Sequence, residues 1–227
     1  MTESIRTIHE NEAIADPARG ENPRRTDPSD LTGADGRPMS DATAPVLEIQ
    51  NVVATVRVAT VLDLDALAER IPGAKYLKKK FPGLVLHMST PKVTVLAFAP
   101  GKLVLTGMPH PDVLPSAFST VLEVLRAAGA ELEPFDPPRV VNIVSSGSFG
   151  EGVALQRLAI AMNLEHIEYE PEVFPGLVYR VADPRGVALV FGSGAFVVTG
   201  TRTEDQAARV MAVIQHAIDQ AGAWTPA

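Results

Sequence analysis

Two copies of one stretch decide the fold of this chain: FPGLVLHMSTPKVTVLAFAPGKLVLTG at residues 81–107 and FPGLVYRVADPRGVALVFGSGAFVVTG at residues 174–200. The copies align without a gap, and 12 of their 27 positions are identical. Both contain two phenylalanines at the same spacing, and both end in Val-x-Thr-Gly. A duplication this close predicts two structurally equivalent units related by a pseudo-twofold axis.

The duplication extends upstream into a helix pattern. Apolar residues recur at helical spacing, 91 residues apart, as Leu64, Leu67, Ala68 and Ile71 and as Leu155, Leu158, Ala159 and Met162. Beyond this helix the offset becomes 93, which predicts a two-residue loop insertion in the second copy. A longer amphipathic helix ends each copy, and Thr203 to Gln206 read as a capping box in the second.

Each copy therefore reads as a strand, a short helix, three or four strands and a long helix. We assign residues 46–136 to the first repeat and residues 137–227 to the second. Two such units predict an α+β fold in which helices stack on one face of an antiparallel sheet. The other face of the sheet then has no sequence element left to cover it.

The first 45 residues differ in composition from the rest. They carry 5 Lys and Arg against 9 Asp and Glu, and they contain five prolines. A segment rich in charged residues and proline has little apolar surface to bury, and this predicts a disordered acidic tail. The chain has no cysteine, and we expect neither a signal peptide nor a membrane span, which favours the cytoplasm, or the nucleus in a eukaryote.

The uncovered face is predicted to be apolar with a few polar groups. In the first strand, alternation puts Asn51, Val53 and Thr55 on one face, and Val52 and Ala54 on the face under the helices. Asn142 lies in the corresponding strand of the second repeat. Monomers rarely leave a large apolar patch bare, so this face is predicted to bind a partner.

The motifs QNVVATV, LDLDALA, FPGLVLHM, PGKLVLTG, VNIVSSG, YEPEVFPGLVYR, DPR and GSGAFVVTG resemble the core domain of the TATA-box-binding protein family. The resemblance covers residues 46–221 in both repeats and excludes the tail. It implies a curved, ten-stranded antiparallel saddle with helices on its convex face. It also implies a general transcription initiation factor that binds and bends A/T-rich promoter DNA through the minor groove.

The resemblance assigns DNA-contacting roles by position. Two phenylalanines in each repeat would wedge into base steps: Phe81, Phe98, Phe174 and Phe191. Two asparagines would donate hydrogen bonds to groove acceptors: Asn51 and Asn142. An aliphatic floor would exclude the guanine amino group: Val53, Leu96, Val104, Thr106, Val144, Leu189, Val197 and Thr199. Basic residues beside the sheet would hold phosphates: Lys92, Lys102, Arg180 and Arg185.

The two repeats differ in charge just before the first wedge. The first reads Tyr76-Leu77-Lys78-Lys79-Lys80, and the second reads Tyr169-Glu170-Pro171-Glu172-Val173. In the family the acidic tip contacts the B-type initiation factor, which recruits RNA polymerase. The resemblance thereby assigns Glu170, Glu172 and Val173 to that contact. It implies no catalysis, no cofactor and no metal.

Two positions depart from the family pattern. His87 stands where the second repeat has Arg180, and Ala195 stands where the first has Lys102. For each missing phosphate contact, the slope of the logarithm of the binding constant against the logarithm of salt concentration becomes shallower by roughly 0.9. We therefore expect weaker DNA binding at low salt than a basic relative would show.

Other interpretations remain open at this point. The two asparagines are also compatible with bonds to a neighbouring loop, and the saddle with binding a protein or another nucleic acid. In the DNA-free protein, a homodimer or the acidic tail would be expected to cover the apolar face. An enzyme is not favoured, because the glycine-rich stretch at residues 147–152 matches no phosphate-binding motif and the five histidines are scattered.

Overall fold

The computed structural model describes residues 46–133, 136–162 and 166–226. The predicted tail, residues 1–45, lies outside these ranges. Residues 163–165 also lie outside them, within the segment between Met162 and Tyr169 where the loop insertion is predicted. The first repeat consists of β1 (Glu48–Arg57), α1 (Leu64–Arg70), β2 (Gly83–Ser89), β3 (Lys92–Phe98), β4 (Lys102–Met108), a 3-10 turn (Pro111–Val113) and α2 (Leu114–Ala127). The second consists of β5 (Arg139–Ser148), β6 (Gly152–Val153), α3 (Leu155–Ala161), β7 (Ile167–Glu168), β8 (Gly176–Val181), β9 (Gly186–Phe191), β10 (Ala195–Thr201), α4 (Glu204–Ala221) and β11 (Trp224–Thr225).

Within the described ranges, nine strands form one antiparallel sheet in the order β2-β3-β4-β1-β5-β10-β9-β8-β7. The two first strands of the repeats pair at its centre, where Asn51 lies opposite Val144 and Val53 lies opposite Asn142. Because each of these pairs turns into the other when the repeats are exchanged, the pseudo-twofold axis passes through the pair between them, Val52 and Ile143. The predicted symmetry is confirmed.

The strand count differs from the implied ten at one edge. In the second repeat β7 pairs Glu168 with Val178, whereas at the equivalent place in the first repeat Lys75 and Val85 form an isolated bridge. The tenth strand is thus reduced to a single bridged pair. The antiparallel saddle that the sequence predicts is otherwise present, and its helices lie against one face.

The core lies between the sheet and the helices. Val52 and Ala54 are fully buried, while the alternating residues Asn51, Val53 and Thr55 stay partly exposed, as strand alternation predicts. The apolar stripe of α2 is buried through Ala117, Val121 and Leu125, and that of α4 through Val210, Ile214 and Ile218. The core thereby forms two apolar clusters, one mainly from each repeat, and Ile143 of the second repeat belongs to the first cluster.

Local sequence fixes where α4 begins and ends. The Thr203 hydroxyl accepts a hydrogen bond from the Gln206 backbone N–H at 3.1 Å, which confirms the predicted N-cap. The Gln206 side chain reaches back one residue further than in a capping box, to the Arg202 N–H at 2.9 Å. Two acidic residues in the first turn favour the positive end of the helix dipole, and Gly222 ends the helix with φ 56°.

The second repeat contains a small sheet that the sequence did not predict. Trp224 and Thr225 after α4 pair with Val153 and Gly152. The Trp224 ring packs on Phe149 at 5.3 Å, and Phe149 packs on Phe196 at 4.7 Å, both measured between ring centroids. This aromatic cluster attaches the last described residues to the second repeat.

Candidate nucleic-acid interface

The face of the sheet opposite the helices, here called the open face, carries the residues assigned to the floor. All eight are partly exposed: Val53, Leu96, Val104, Thr106, Val144, Leu189, Val197 and Thr199. Strand register brings them side by side, with Leu96 opposite Val104 and Leu189 opposite Val197. The described part of the chain thus presents a continuous, mainly aliphatic surface to solvent.

Asn51 and Asn142 lie at the centre of the open face with fixed side-chain orientation. The Asn51 Oδ1 accepts the backbone N–H of Gly107 at 2.7 Å, and the Asn142 Oδ1 accepts that of Gly200 at 2.8 Å. A backbone N–H only donates, so the atom it faces must be the amide oxygen. Each carboxamide N–H₂ lies 3.3 Å from a threonine hydroxyl, of Thr106 or Thr199, and still has a second hydrogen to donate.

The glycines that hold these asparagines lie in β-bulges. Between Val52 and Ala54 on β1 the register shifts by one residue against β4, and an equivalent shift occurs where β5 meets β10. Gly107 and Gly200, both at φ 78°, sit in these bulges, where a side chain would strain the backbone. The Val-x-Thr-Gly ends of both copies signalled these positions, but their role in orienting the asparagines was not predicted.

The four phenylalanines assigned as wedges form two matched pairs at opposite ends of the sheet. Phe81 and Phe98 have ring centroids 5.7 Å apart at 65°, and Phe174 and Phe191 have centroids 5.7 Å apart at 64°. All four rings are partly exposed, so none belongs to the core. Edge-to-face contact of this kind holds each ring in place before any partner binds.

A glycine makes room for each ring pair. A Cβ atom added at Gly83 would lie 2.7 Å from the Phe81 ring and 3.0 Å from the Phe98 ring. At Gly176 the corresponding distances are 2.7 Å to Phe174 and 3.1 Å to Phe191. The FPG motif in both copies therefore has a steric function that was not predicted from the sequence.

The floor extends further than the sequence assigned it. Val85 lies opposite Leu96, and Val178 lies opposite Leu189, so both share the face of the floor residues. On β3, Thr94 lies opposite Thr106 and shares the same face. Strand alternation from FPGLV could have identified both valines, had the register of the outer strands been known.

The basic residues assigned to phosphates are all exposed, but they differ in their present partners. The Arg180 guanidinium forms a salt bridge with Glu168 at 2.8 Å. His87, at the equivalent place in the first repeat, has its Nδ1 3.0 Å from the Thr94 hydroxyl. Lys92, Lys102 and Arg185 project from strand ends or turns beside the open face.

The two tips have the same backbone turn and opposite charge. The backbone carbonyl of Glu170 accepts the N–H groups of Val173 and Phe174 at 2.9 Å, as the carbonyl of Leu77 does from Lys80 and Phe81 at 2.8 and 3.0 Å. Glu170 and Glu172 are exposed, and Val173 keeps 80% of its surface exposed. On the basic tip, a hydrogen bond to the Asp65 carboxylate raises the pKa of Lys78.

The described residues contain neither a candidate metal-binding cluster nor a helix that could span a membrane. They bring together no group of three His, Asp or Glu side chains that would hold a metal ion. Within the same ranges, no helix combines the length and the apolar character needed to cross a bilayer. The stretch at residues 147–152 forms the end of β5 and a turn into β6.

Comparison with known proteins gives consistent results. The family model for "Transcription factor TFIID (or TATA-binding protein, TBP)" matches residues 46–128 and 137–221. TATA-box-binding protein D of Halobacterium salinarum is 42% identical over 176 residues, which cover 78% of this chain and 95% of that protein. TATA-box-binding protein 2 of Haloferax volcanii is 42% identical over 179 residues, covering 79% and 96%. The structure of Methanococcus jannaschii TBP superposes with a TM-score of 0.69 at 36% identity, covering 78% of this chain and 99% of that one.

Proposed function

The chain belongs to the TATA-box-binding protein family, and from that membership we propose that it binds A/T-rich promoter DNA in the minor groove and starts transcription there. The family consists of DNA-binding transcription factors and not of enzymes. The observation that carries the proposal is the matched pair of oriented asparagines at the centre of an open aliphatic face.

The chemistry of the open face suits A/T base pairs. Both A·T and T·A pairs show only acceptors in the minor groove, and the free N–H of each asparagine is a donor. A G·C pair adds a projecting amino group, for which a mainly aliphatic floor leaves no room. Selectivity for A/T-rich DNA then follows from a central pair of donors and a surrounding surface that is mainly aliphatic.

The phenylalanine pairs supply the bending step of the proposal. Inserting an aromatic ring between base pairs costs a few kcal/mol of stacking per step, and the larger contact surface on bent DNA offsets this cost. Ring pairs at both ends of the sheet, already held by mutual contact, would kink the duplex at both ends of the site.

The acidic tip is the proposed contact for the B-type initiation factor, and through it for RNA polymerase. Its turn leaves Glu170, Glu172 and Val173 exposed outside the floor, so protein and DNA can bind together. Without DNA, the apolar open face is the proposed contact of a homodimer. Sedimentation of the DNA-free protein tests this last point, because a monomer at micromolar concentration contradicts it.

Replacing both asparagines by aspartate, in the double variant Asn51→Asp with Asn142→Asp, tests the DNA-binding proposal. Each new carboxylate keeps an oxygen for the glycine N–H and removes the donor to the groove. We expect A/T-rich binding in a gel shift to fall by about tenfold or more, since one good base contact contributes roughly 1–3 kcal/mol.

Two controls complete this experiment. Thermal unfolding of the variant checks that the sheet is intact, and a G/C-rich duplex gives the background affinity. Equal binding of the native chain to A/T-rich and G/C-rich duplexes would instead favour a saddle that binds a protein or another nucleic acid.

The division of labour between saddle and tip is tested with Glu172→Arg. We expect DNA affinity to stay within a factor of about two, because Glu172 is exposed and lies outside the floor, and solvent and salt largely screen an exposed charge. Binding of a B-type initiation factor to the protein–DNA complex is expected to be abolished. Lys79→Glu on the basic tip is the matched control, and it should leave that binding intact.

A further inference from the structure

The pseudo-twofold axis allows every charge on one long rim of the sheet to be compared with its equivalent on the other. One rim carries Lys102, Arg57 and Arg139 at the ends of β4, β1 and β5, and we call it the basic rim. The equivalent positions on the opposite rim, here called the neutral rim, hold Ala195, Ser148 and Glu48. Three positive charges therefore correspond to no positive charge and one negative charge.

The register shows that these residues belong to the open face. Lys102 lies opposite Arg57, and Arg139 lies opposite Thr55, whose side chain is on the open face. On the other rim Ala195 lies opposite Ser148, and Glu48 lies opposite the open-face residue Ser146. Paired residues in a sheet point to the same face, so both sets flank the floor.

The outer strands do not restore the balance. Lys92 adds one positive charge beside the neutral rim, and Arg185 adds one beside the basic rim, at equivalent turns. Arg180 on β8 lies on the same side as Arg185 and is paired with Glu168. The difference between the rims therefore remains.

Two acidic groups lie near the basic rim, and neither cancels it. The Asp136 carboxylate is 3.6 Å from Arg139, with both side chains more than three-quarters exposed. The Glu133 carboxylate is bonded to the N–H and hydroxyl of Thr60 at 3.1 and 2.8 Å. The pair between Arg139 and Asp136 is exposed, and exposed ion pairs are weak, so a DNA phosphate can compete for Arg139.

We infer that the protein binds promoter DNA mainly through the phosphates of one strand, an arrangement here called a one-sided grip; equal binding to the phosphates of both strands would be a two-sided grip. The inference rests on the proposed minor-groove binding, in which the DNA runs from one phenylalanine pair to the other and the two rims flank the groove. One strand then follows the basic rim and the other follows the neutral rim. The phosphates along the basic rim supply most of the electrostatic binding and most of its salt dependence.

A duplex with a self-complementary A/T core and unlike flanks tests this inference. In one version, uncharged methylphosphonates replace the core phosphates of one strand; in another, they replace those of both strands. A one-sided grip lets the native protein turn around and place its basic rim on the charged strand. Affinity should then fall by only about a factor of two, since one of two orientations is removed, whereas neutralising both strands should cost roughly tenfold or more.

A two-sided grip gives a different result, because in either orientation one of the two rims lies on the methylphosphonate strand. Neutralising one strand would then cost about half, on a logarithmic scale, of what neutralising both strands costs. That outcome overturns the inference. Failure to bind the unmodified duplex contradicts the proposed function instead, so the two failures are distinguishable.

Two swap variants provide matched controls. Lys102→Ala, Arg57→Ser and Arg139→Glu install on the basic rim what equivalent strand positions already hold, so we expect the variant to fold. Its salt slope should fall by roughly 0.9 for each phosphate that is no longer bound. Ala195→Lys, Ser148→Arg and Glu48→Arg make both rims basic, and this variant should show the two-sided pattern. An unchanged slope in the first variant contradicts the inference.

Discussion

The two repeats agree closely on the open face and differ around it. The asparagine-to-glycine hydrogen bonds measure 2.7 and 2.8 Å, and both phenylalanine pairs have ring centroids 5.7 Å apart. The rims, the tips and the ends of the long helices differ in charge or in structure. Steric fit therefore keeps the floor alike in both repeats, while exposed positions are free to make a nearly symmetric molecule directional.

The largest expected difference from the native protein comes from removing one wedge in each repeat. Phe98→Ala and Phe191→Ala should each reduce the DNA bend at one end, and the double variant should remove most of it. We expect affinity for A/T-rich DNA to fall by roughly tenfold or more per ring, because the retained contacts no longer offset an unfavourable bend. Circular-permutation gel shifts measure the bend.

Equal effects of the two single variants would confirm that the repeats act alike in bending. Phe149→Leu, in the aromatic cluster with Phe196 and Trp224, serves as a control outside the floor and the wedges. Unchanged bending in the double variant would show that these rings are not wedges.

The second comparison concerns how the repeats end. Trp224→Ala removes a ring that packs on Phe149 and an indole N–H that donates to Asp219 at 2.6 Å. We expect the free energy of unfolding to fall by about 2 kcal/mol, less than for a fully buried tryptophan because Trp224 is only partly buried. Urea unfolding measures the change.

Trp224→Phe separates the two contributions, since it keeps an aromatic ring and removes the N–H donor. The decrease in stability should be about half as large. The first repeat has Glu131 at the equivalent position, so Glu131→Ala should have little effect. A similar decrease from Glu131→Ala would refute the view that the residue at this position stabilises only the second repeat.

The bulge glycines should respond equally in the two repeats. Gly107→Ala and Gly200→Ala place a side chain at φ 78°, yet the nearest atoms to the new Cβ are 3.7 Å away at each site. The cost is therefore one of backbone conformation, about 1–2 kcal/mol of unfolding free energy in each case. Clearly unequal decreases in urea unfolding would indicate that the two bulges are not equivalent.

The smallest effect concerns a hydrogen-bonded carboxylate in the first repeat only. Hydrogen bonds from Thr60 hold the pKa of Glu133 below its ordinary value. A lowered folded-state pKa means that this contribution to stability is present above the ordinary pKa, near 4.3, and is lost as pH falls through the lowered value. The stability difference between the native protein and Glu133→Gln should therefore shrink between about pH 6 and pH 3.

Thr60→Val removes the hydroxyl donor and should lessen this pH dependence. The second repeat has Pro226 in place of Glu133 and offers no equivalent carboxylate. A stability difference that stays constant over this pH range would contradict the assignment.

Much of the fold could be predicted because the sequence states it twice. The duplicated pattern indicated the symmetry, the order of strands and helices and the face on which Val52 and Asn51 lie. The small β6–β11 sheet was missed because two-residue strands leave no periodic pattern. The reduction of the tenth strand to the bridge between Lys75 and Val85 was missed for the same reason.

The candidate site was predicted in its residue types but not in its supporting geometry. The positions of the asparagines and phenylalanines came from repetition and from family resemblance. The glycine N–H groups that orient Asn51 and Asn142 depend on bulges between strands, and the ring pockets depend on the pairing of Gly83 with Phe98. The DNA-binding roles of these residues are predictions.

Periodicity and duplication are local properties of a chain, and here they determined the repeat, the helices and the alternation of buried and open residues. Which residues meet across strands is a property of register, set by long-range pairing that no single segment encodes. Register joined Asn51 to Gly107 and placed Lys102, Arg57 and Arg139 in one row, although they lie far apart in the chain. The orientation of the central donors and the unequal rims therefore became visible only when the strands were paired.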